Sequence, residues 1–337
     1  MNIKKVAEHA QVSTATVSRL INKTSYISPE TAKKVWSAIE ELGYYPNITA
    51  RGLASGRSLL LGLIVSDIVN PFFPELVKSF EEAAVEKGFE VITANTNYDP
   101  ARTAMRVRSL IERRVDGVAV MTSEMDQALI DELSTRGIPI VFLDTGEIQE
   151  SISNIRIDYE QGISEAVNHL LELGHRRIGF ISGPLDLKSA KIRRSAFLKF
   201  LRQQGIIEKK ELVVTGNHNI GGGREAMNRL LELQERPTAV LTSNDLTAIG
   251  ALQSLRTHGL HVPTDMSLIG FDDIVLAEST DPPLTTVNVS RVKVAESAFQ
   301  SLYELINGEA EFGTEVRVET KLIIRESTAK LIEKGRK

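Results

Sequence analysis

The chain has 337 residues, 42% apolar and 25% charged, which excludes a long disordered protein, and its lack of cysteine excludes disulfides and thiolate metal sites. The net charge of −4 is unevenly distributed, because residues 1–60 carry +4 and the remainder carries −8. A basic end on an acidic body is typical of binding to a polyanion through that end, although a solvated charged face has the same composition.

Residues 3–45 have the pattern of three short helices. Apolar residues recur at helical spacing in each segment, for example Val17, Leu20 and Ile21 in the second. The short turn 11–13 separates the first two helices, which is the arrangement of a helix-turn-helix. The sequence therefore predicts a small, all-α headpiece.

The second helix, residues 14–22, is suited to the major groove of DNA. Its nine residues span roughly 13 Å, close to the groove width of about 12 Å. The outward face carries Thr14, Ala15, Ser18 and Arg19, small groups that permit close approach beside a guanidinium able to bind guanine. Any three-helix module contains such a turn, so this pattern alone leaves a purely structural headpiece open.

A linker and a repetitive α/β region follow the headpiece. Residues 47–58 are small and polar with two glycines, which indicates marginal helicity. From residue 59 onward, short apolar runs such as 59–65 and 268–271 alternate with amphipathic helical patterns, typical of βαβ units. Eight or more such units are too many for one small sheet. We therefore predict two doubly wound parallel-sheet lobes, with a ligand in the crevice at the carboxyl ends of the strands.

The headpiece resembles that of the lac and purine repressor (LacI/GalR) family of transcription regulators. The resemblance is carried by residues 3–7, 12–22 and 42–47, and it extends to about Glu326. The family usually has glycine where this chain has Gln11. The resemblance implies a DNA-binding headpiece over 1–46, a hinge helix over 47–58, and over 59–337 a two-lobed effector-binding and dimerisation core like a periplasmic binding protein.

The resemblance implies a non-enzymatic transcription regulator, a repressor that works as a homodimer on pseudo-palindromic, double-stranded operator DNA. In the family, a leucine matching Leu53 wedges into a minor-groove step as the hinge helix forms on DNA. Gly52 weakens the isolated helix by about 1 kcal/mol relative to alanine, which makes its formation conditional. A plain flexible linker is the alternative. The implied DNA contacts are Thr14, Ala15, Thr16, Ser18, Arg19, Asn22, Tyr44, Asn47, Ala50, Leu53 and Ala54.

Polar and aromatic residues follow several predicted strands. Phe72 and Phe73 can stack on a sugar or base ring, or they can anchor the next helix. The fork of Arg193 suits vicinal hydroxyls or a carboxylate, although without the resemblance an exposed helix-surface arginine is the simpler interpretation. His218 stands where the family often has an aromatic residue. The resemblance implies a small effector, with a sugar or sugar derivative favoured, held by Asn70, Phe72, Phe73, Arg193, His218, Asn244 and Asp272.

Three other functions are weighed against a small-molecule-controlled repressor. An enzyme is disfavoured because the chain has no Gly-x-Ser-x-Gly elbow, His-Glu-x-x-His helix or Walker loop. A transporter's solute-binding protein would need a signal peptide. The N-terminus lacks that pattern and no stretch is apolar enough to span a membrane, so we expect a cytoplasmic protein, without metal or cofactor. A phosphoprotein partner in place of the small effector, as in the catabolite-control branch of the family, stays open.

Overall fold

The computed structural model describes residues 2–22, 25–44, 57–122 and 125–332. The chain divides into two compact units, Met1–Leu59 and Leu60–Lys337. No helix within these described ranges is long and apolar enough to cross a membrane.

The first unit contains three helices, α1 (Ile3–His9), α2 (Thr14–Asn22) and α3 (Pro29–Glu41). Ser28 begins α3 by accepting a hydrogen bond from the backbone N–H of Thr31 at 3.3 Å, and Gly43 follows its end at φ +56°. The predicted three-helix headpiece is confirmed. Its core consists of small apolar side chains contributed by all three helices, namely Val6, Ala7, Ala10, Val17, Val35 and Ala38.

The turn between α1 and α2 contains a residue in an unfavourable backbone conformation. Gln11 lies at φ +55°, in the left-handed region where a Cβ costs about 1 to 2 kcal/mol. The turn is held by the N–H of Gln11, which donates to the carbonyl of Glu8 at 3.2 Å, and by the N–H of Val12, which donates to Ala7 at 2.9 Å. This conformation explains why glycine suits the position.

The second unit consists of two lobes, each built on a six-stranded sheet. The strands are β1 (Leu60–Val65), β2 (Glu90–Asn95), β3 (Gly117–Met121), β4 (Ile140–Leu143), β5 (Ile152–Ile157), β6 (Ile178–Ser182), β7 (Val213–Thr215), β8 (Ala239–Thr242), β9 (Ser267–Asp272), β10 (Thr285–Val289), β11 (Glu315–Val318) and β12 (Thr320–Ile323). The first sheet has the order β11-β5-β4-β3-β1-β2 and the second β12-β10-β9-β8-β6-β7. Among the named strands only β10 and β12 pair antiparallel.

Helices cover both faces of each sheet. They are α4 (Phe72–Glu86), α5 (Pro100–Glu112), α6 (Gln127–Thr135), α7 (Tyr159–Glu172), α8 (Lys188–Gln203), α9 (Ile220–Leu231), α10 (Asp245–Thr257) and α11 (Arg291–Asn307). In the first lobe α4 packs against α11 and α5 against α6, and in the second α9 packs against α10 and α7 against α8. Side-chain caps begin many of them: Asp99, Asp126, Asp158, Asn219, Asn244 and Ser290.

The chain crosses between the lobes at 157–159, 289–291 and 318–320. The prediction of two doubly wound lobes is confirmed. The apolar-run pattern did not reveal β5, because Ser153, Asn154 and Arg156 interrupt the hydrophobic sequence. Ser153 and Asn154 are nevertheless buried, since Ser153 accepts from the N–H of Thr314 and Asn154 bonds Gly146 and Glu315.

Replacing Gln11 by glycine is expected to raise the free energy of unfolding of the headpiece by about 1 kcal/mol, because the left-handed conformation no longer carries a Cβ. Trp36 in α3 is the only tryptophan and is 50% exposed, so its fluorescence during urea unfolding reports on this unit. Gln11→Ala is the matched control and should give no gain. An equal midpoint for the glycine variant and the parent chain would contradict the prediction.

Candidate effector cavity and DNA-reading headpiece

A cavity lies between the two lobes, where strands of both sheets end. Its volume is about 90 Å³, several times the roughly 10 to 15 Å³ needed to hold one water molecule. This is room for a compact polar molecule. All seven residues singled out in the sequence line it: Asn70, Phe72, Phe73, Arg193, His218, Asn244 and Asp272.

Arg193 on α8 supplies the positive charge of the cavity. Its guanidinium carbon lies 4.8 Å from the ring centre of Tyr159 and 4.9 Å from that of Phe271, within cation–π range of both. The guanidinium donates to the carbonyl of Ser243 and lies 3.7 Å from the carboxylate of Asp272. At 6% exposure Arg193 is buried, so the alternative of an exposed helix-surface arginine is wrong.

Asp272 is the acidic partner of Arg193. It ends β9 at φ +109°, and its carbonyl accepts a hydrogen bond from Arg291. Burial raises the pKa of Asp272 to about 6, and the nearby charges of Arg193 and Arg291 oppose this rise. The carboxyl is therefore mainly ionised at neutral pH and can accept hydrogen bonds from ligand hydroxyls.

A second carboxyl, Asp144, joins the two lobes at the cavity wall. Its Oδ2 accepts a hydrogen bond from the hydroxyl of Tyr159 at 2.6 Å, and its Oδ1 accepts from the N–H of Ile157 at 2.9 Å. Burial raises the pKa of Asp144 to about 6, against the effect of these two hydrogen bonds. Asp144 follows β4 in the first lobe and Tyr159 begins α7 of the second, so this bond ties the lobes together.

Sequence reasoning missed Asp144, Tyr159 and Tyr98, which also line the cavity. Asp144 directly follows the apolar run 140–143, so the strand-end rule that selected Asn244 could have found it. Tyr159 gave no such signal, because the strand before it was not predicted.

Asn244 uses its side chain to hold neighbouring backbone. Its Oδ1 accepts from the N–H and the hydroxyl of Thr247 at 3.0 and 2.5 Å, and its Nδ2 donates to the carbonyl of His218 at 3.0 Å. It therefore caps α10 and fixes the loop in which His218 adopts φ +60°. The structure places Asn244 in the cavity wall, where it also orients His218.

His218 presents a neutral imidazole. Burial, with a smaller contribution from the charge of Arg193, lowers the pKa of His218 to about 3. Its Nε2 is buried without a hydrogen-bond partner among the described residues. The ring packs on Gly183, where an added Cβ would lie 1.9 Å from Nε2, so this wall requires glycine. An unsatisfied buried nitrogen of this kind is stabilised when a ligand supplies the missing hydrogen bond.

Phe72 and Phe73 both anchor α4 and line the cavity. Their rings meet edge to face with centroids 5.4 Å apart, and they are 8% and 7% exposed. Asn70 fixes the turn before them, since its Oδ1 accepts from the N–H of Phe72 at 3.1 Å. The two interpretations of the aromatic pair are therefore compatible.

On the headpiece, α2 presents Thr14, Ala15 and Arg19 to solvent, whereas Val17 is buried. Thr16 and Ser18 are half-buried, and the Thr16 hydroxyl lies 2.9 Å from that of Ser13. Tyr44 packs against the headpiece core. The remaining predicted DNA contacts lie outside the described residues: the side chain of Asn22, and Asn47, Ala50, Leu53 and Ala54.

Comparison with known proteins gives two family matches along the chain. Residues 2–47 match the model of bacterial regulatory proteins of the lacI family, and residues 167–328 match a periplasmic binding protein-like domain. The HTH-type transcriptional repressor PurR of Mannheimia succiniciproducens is 36% identical over 98% of this chain and 99% of its own length. PurR of Klebsiella pneumoniae is also 36% identical, over 97% and 96% of the two chains.

The chain belongs to the lacI family of bacterial regulatory proteins. Solved structures agree with this membership. The lac repressor dimer bound to operator and the anti-inducer ONPF is 29% identical, with a TM-score of 0.87 over 98% of this chain and 99% of that one. The transcriptional regulator CelR in complex with cellobiose is 32% identical, with a TM-score of 0.73 over 97% and 99%. The protein is thus a transcriptional repressor with a DNA-binding headpiece and an effector-binding core, and its function does not involve catalysis.

The replacement Asp144→Asn is expected to change how stability depends on pH. Because the folded-state pKa of about 6 lies above the ordinary value of 3.8, the folded protein binds more protons between these values, and its stability falls as pH rises through that window. The asparagine variant should lack a fall of about 2 to 3 kcal/mol between pH 4 and pH 6.

Thermal unfolding of the core, followed by circular dichroism across this pH range, measures the difference. The readout is the slope of the free energy of unfolding against pH. The altered hydrogen bond with Tyr159 shifts this free energy by an amount that does not depend on pH, so it leaves the slope unchanged. Asp281→Asn, at a side chain 93% exposed, is the matched control. Parallel profiles for the Asp144 variant and the parent chain would contradict the prediction.

Proposed function

We propose that this lacI-family protein is a cytoplasmic, homodimeric repressor of a pseudo-palindromic operator, controlled by a sugar or sugar derivative bound between its lobes. The observation that carries the proposal is that all seven predicted effector residues, drawn from both lobes, converge on one cavity. A cavity of this size suits a small molecule, which favours such an effector over a phosphoprotein partner.

The chemistry of the cavity supports a polyhydroxyl ligand. Arg193 donates, the carboxylates of Asp144 and Asp272 accept, and His218 offers a buried nitrogen without a partner in the described part of the chain. The rings of Phe72 and Phe73 give the apolar contact that a sugar ring needs. Two structural relatives add support: CelR in complex with cellobiose, and a regulator from Enterococcus faecium with bound ribose.

A ligand in this cavity would change how the two lobes are positioned relative to each other. It would contact groups from both sheets, beside the hydrogen bond between Asp144 and Tyr159 that crosses from one lobe to the other. A ligand that binds one lobe arrangement better shifts the population toward it, and such couplings typically amount to about 1 to 3 kcal/mol. The hinge 47–58 would carry this shift to the headpieces.

The proposal is tested by selecting operator sequences from a random duplex library with the full-length protein. Sugars, sugar derivatives, sugar phosphates and nucleobases are then screened for a shift in thermal unfolding and for a change in operator affinity. We expect one sequence-specific, salt-sensitive site and at least one compound that changes both quantities. Absence of any preferred sequence would contradict the DNA-binding part, and a change produced only by compounds other than sugars would contradict the effector assignment.

Arg193→Lys is expected to weaken binding of the identified effector by about tenfold or more, because lysine cannot present a planar fork or stack between Tyr159 and Phe271. Operator affinity without effector should be unchanged. Calorimetric titration and a fluorescence anisotropy assay with operator measure the two constants. Arg194→Lys, at the adjacent half-buried position, is the matched control. Equal losses in both variants would contradict the assigned role.

Leu53→Ala is expected to weaken specific operator binding by about tenfold, since a large apolar wedge is lost from the minor groove. Unfolding of the headpiece, followed through Trp36, should be unaffected. Binding to non-specific DNA is the internal reference, because it depends on phosphate contacts. Unchanged operator affinity would favour the plain flexible linker.

A further inference from the structure

The charged side chains of the cavity wall carry a net negative charge. Among the described residues that line the cavity, Arg193 is the only cation, and Asp144 and Asp272 are the only acids. Burial raises the pKa of each of these carboxyls to about 6, so both are ionised at pH 8. His218 adds no charge, because burial lowers its pKa to about 3. A ligand therefore meets one positive and two negative charges.

The positive charge of Arg193 is already shared among several partners. Its Nη1 donates to the carbonyl of Ser243, and its Nε donates to the carbonyl of Ser189 at 3.4 Å. The carboxylate of Asp272 lies 3.7 Å from the guanidinium. A phosphate or carboxylate on a ligand would compete with these partners for a charge that Asp272 already balances.

A second buried arginine lies close to the cavity without supplying it with positive charge. Arg291 donates to the carbonyl of Asp272, but it is not among the residues that line the cavity. Its Nε donates to the carboxylate of Glu75 at 2.8 Å. The charge of Arg291 is therefore balanced by Glu75 outside the cavity.

Helix N-termini are the other groups that could attract an anion, because their free N–H groups bind negative charge. In α4, α7 and α10, which begin at the cavity wall, first-turn N–H groups donate to the side chains of Asn70, Asp158 and Asn244. α8 begins at Lys188 and has no side-chain cap. The charge of Lys188 opposes the burial that raises the pKa of Asp144, so an anion at the start of α8 would also be repelled by Asp144.

The two carboxylates belong to different lobes and are suited to hydroxyl groups. Asp144 follows β4 of the first lobe, and Asp272 ends β9 of the second. A carboxylate has about four sites that accept hydrogen bonds. Asp144 uses one of them for the hydroxyl of Tyr159 and one for the N–H of Ile157. Its remaining sites can accept from ligand hydroxyls, whereas they repel a phosphate or a second carboxylate.

We propose that the effector carries no phosphate or carboxylate group, because Asp144 and Asp272 exclude anionic sugars by charge while they accept hydrogen bonds from sugar hydroxyls. Like charges a few ångströms apart repel strongly in a cavity shielded from bulk water, since solvent and salt screen them little. This inference rests on the sugar effector proposed above. It narrows that class to unphosphorylated sugars and makes the two carboxylates the residues that determine specificity.

The test compares sugars with their anionic counterparts by calorimetric titration of the full-length protein at pH 8 and constant ionic strength. The pairs are ribose and ribose 5-phosphate, glucose and glucose 6-phosphate, galactose and galactose 1-phosphate, and fructose and fructose 1-phosphate. Glucose and glucuronate form a further pair of nearly equal size. We expect at least one neutral sugar to bind, and its anionic counterpart to bind about a hundredfold more weakly.

Two variants separate exclusion by charge from exclusion by size. Asp144→Asn and Asp272→Asn each remove one negative charge and keep the shape of the side chain, so each should reduce the discrimination between the members of a pair about tenfold. Asp281→Asn, at a side chain 93% exposed, is the matched control and should leave the discrimination unchanged. Thermal unfolding shows whether each variant is folded. The same discrimination in all variants would overturn the role of the two carboxylates.

Inorganic phosphate gives a measurement on the parent chain that needs no sugar. The midpoint of thermal unfolding of the core, followed by circular dichroism, should be the same in phosphate and in chloride of equal ionic strength. A saturable rise of this midpoint with phosphate would show that the core has an anion site, and it would overturn the inference.

The outcomes also separate this inference from the proposal on which it rests. An anionic member that binds more tightly than its neutral counterpart, and that changes operator affinity, would overturn the inference and keep a sugar derivative as effector. If no member of any pair binds, the sugar effector itself is overturned.

Discussion

The guanidinium of Arg193 is only 6% exposed, and a buried charge of this kind needs polar or ionic partners. The residues at the centre of the molecule are arranged to supply these partners. The rings of Tyr159 and Phe271 lie on either side of it, the carbonyl of Ser243 accepts from it, and Asp272 lies 3.7 Å away. These partners come from three places in the second lobe, namely the start of α7, the end of β9 and the residue that follows β8. The buried positive charge of Arg193 therefore helps to fix the positions of these partners. Together they form a polar part of the cavity wall.

The same region connects the lobes. Tyr159 binds Arg193 through its ring and Asp144 of the first lobe through its hydroxyl. Arg291, at the second crossover between the lobes, donates to the carbonyl of Asp272 and, at 2.8 Å, to Glu75 of α4. Polar groups that line the cavity are thus also groups that connect the two lobes. A change in the contacts of these groups would therefore directly alter how the two lobes are positioned relative to each other.

Several residues of the cavity wall have a strained backbone. Asp144, His218 and Asp272 have φ values of +64°, +60° and +109°, conformations that cost a non-glycine residue of order 1 to 3 kcal/mol. Hydrogen bonds offset this cost, for example the bond from Asn244 to the carbonyl of His218. Strained backbone conformations of this kind are found where side chains must point into a site. Asp144 and Asp272 lie at the ends of strands, which agrees with such a role.

The sequence by itself determined the architecture, because helical and strand periodicity is a local property of the chain, and it identified the headpiece and seven residues of the cavity through short motifs. It could not show that Asn244 is used as a cap, that His218 is neutral, or that Asp144 meets Tyr159, since these depend on burial and on contacts between residues distant in sequence. It also missed β5, because side chains such as Asn154 are satisfied only by partners from other parts of the fold.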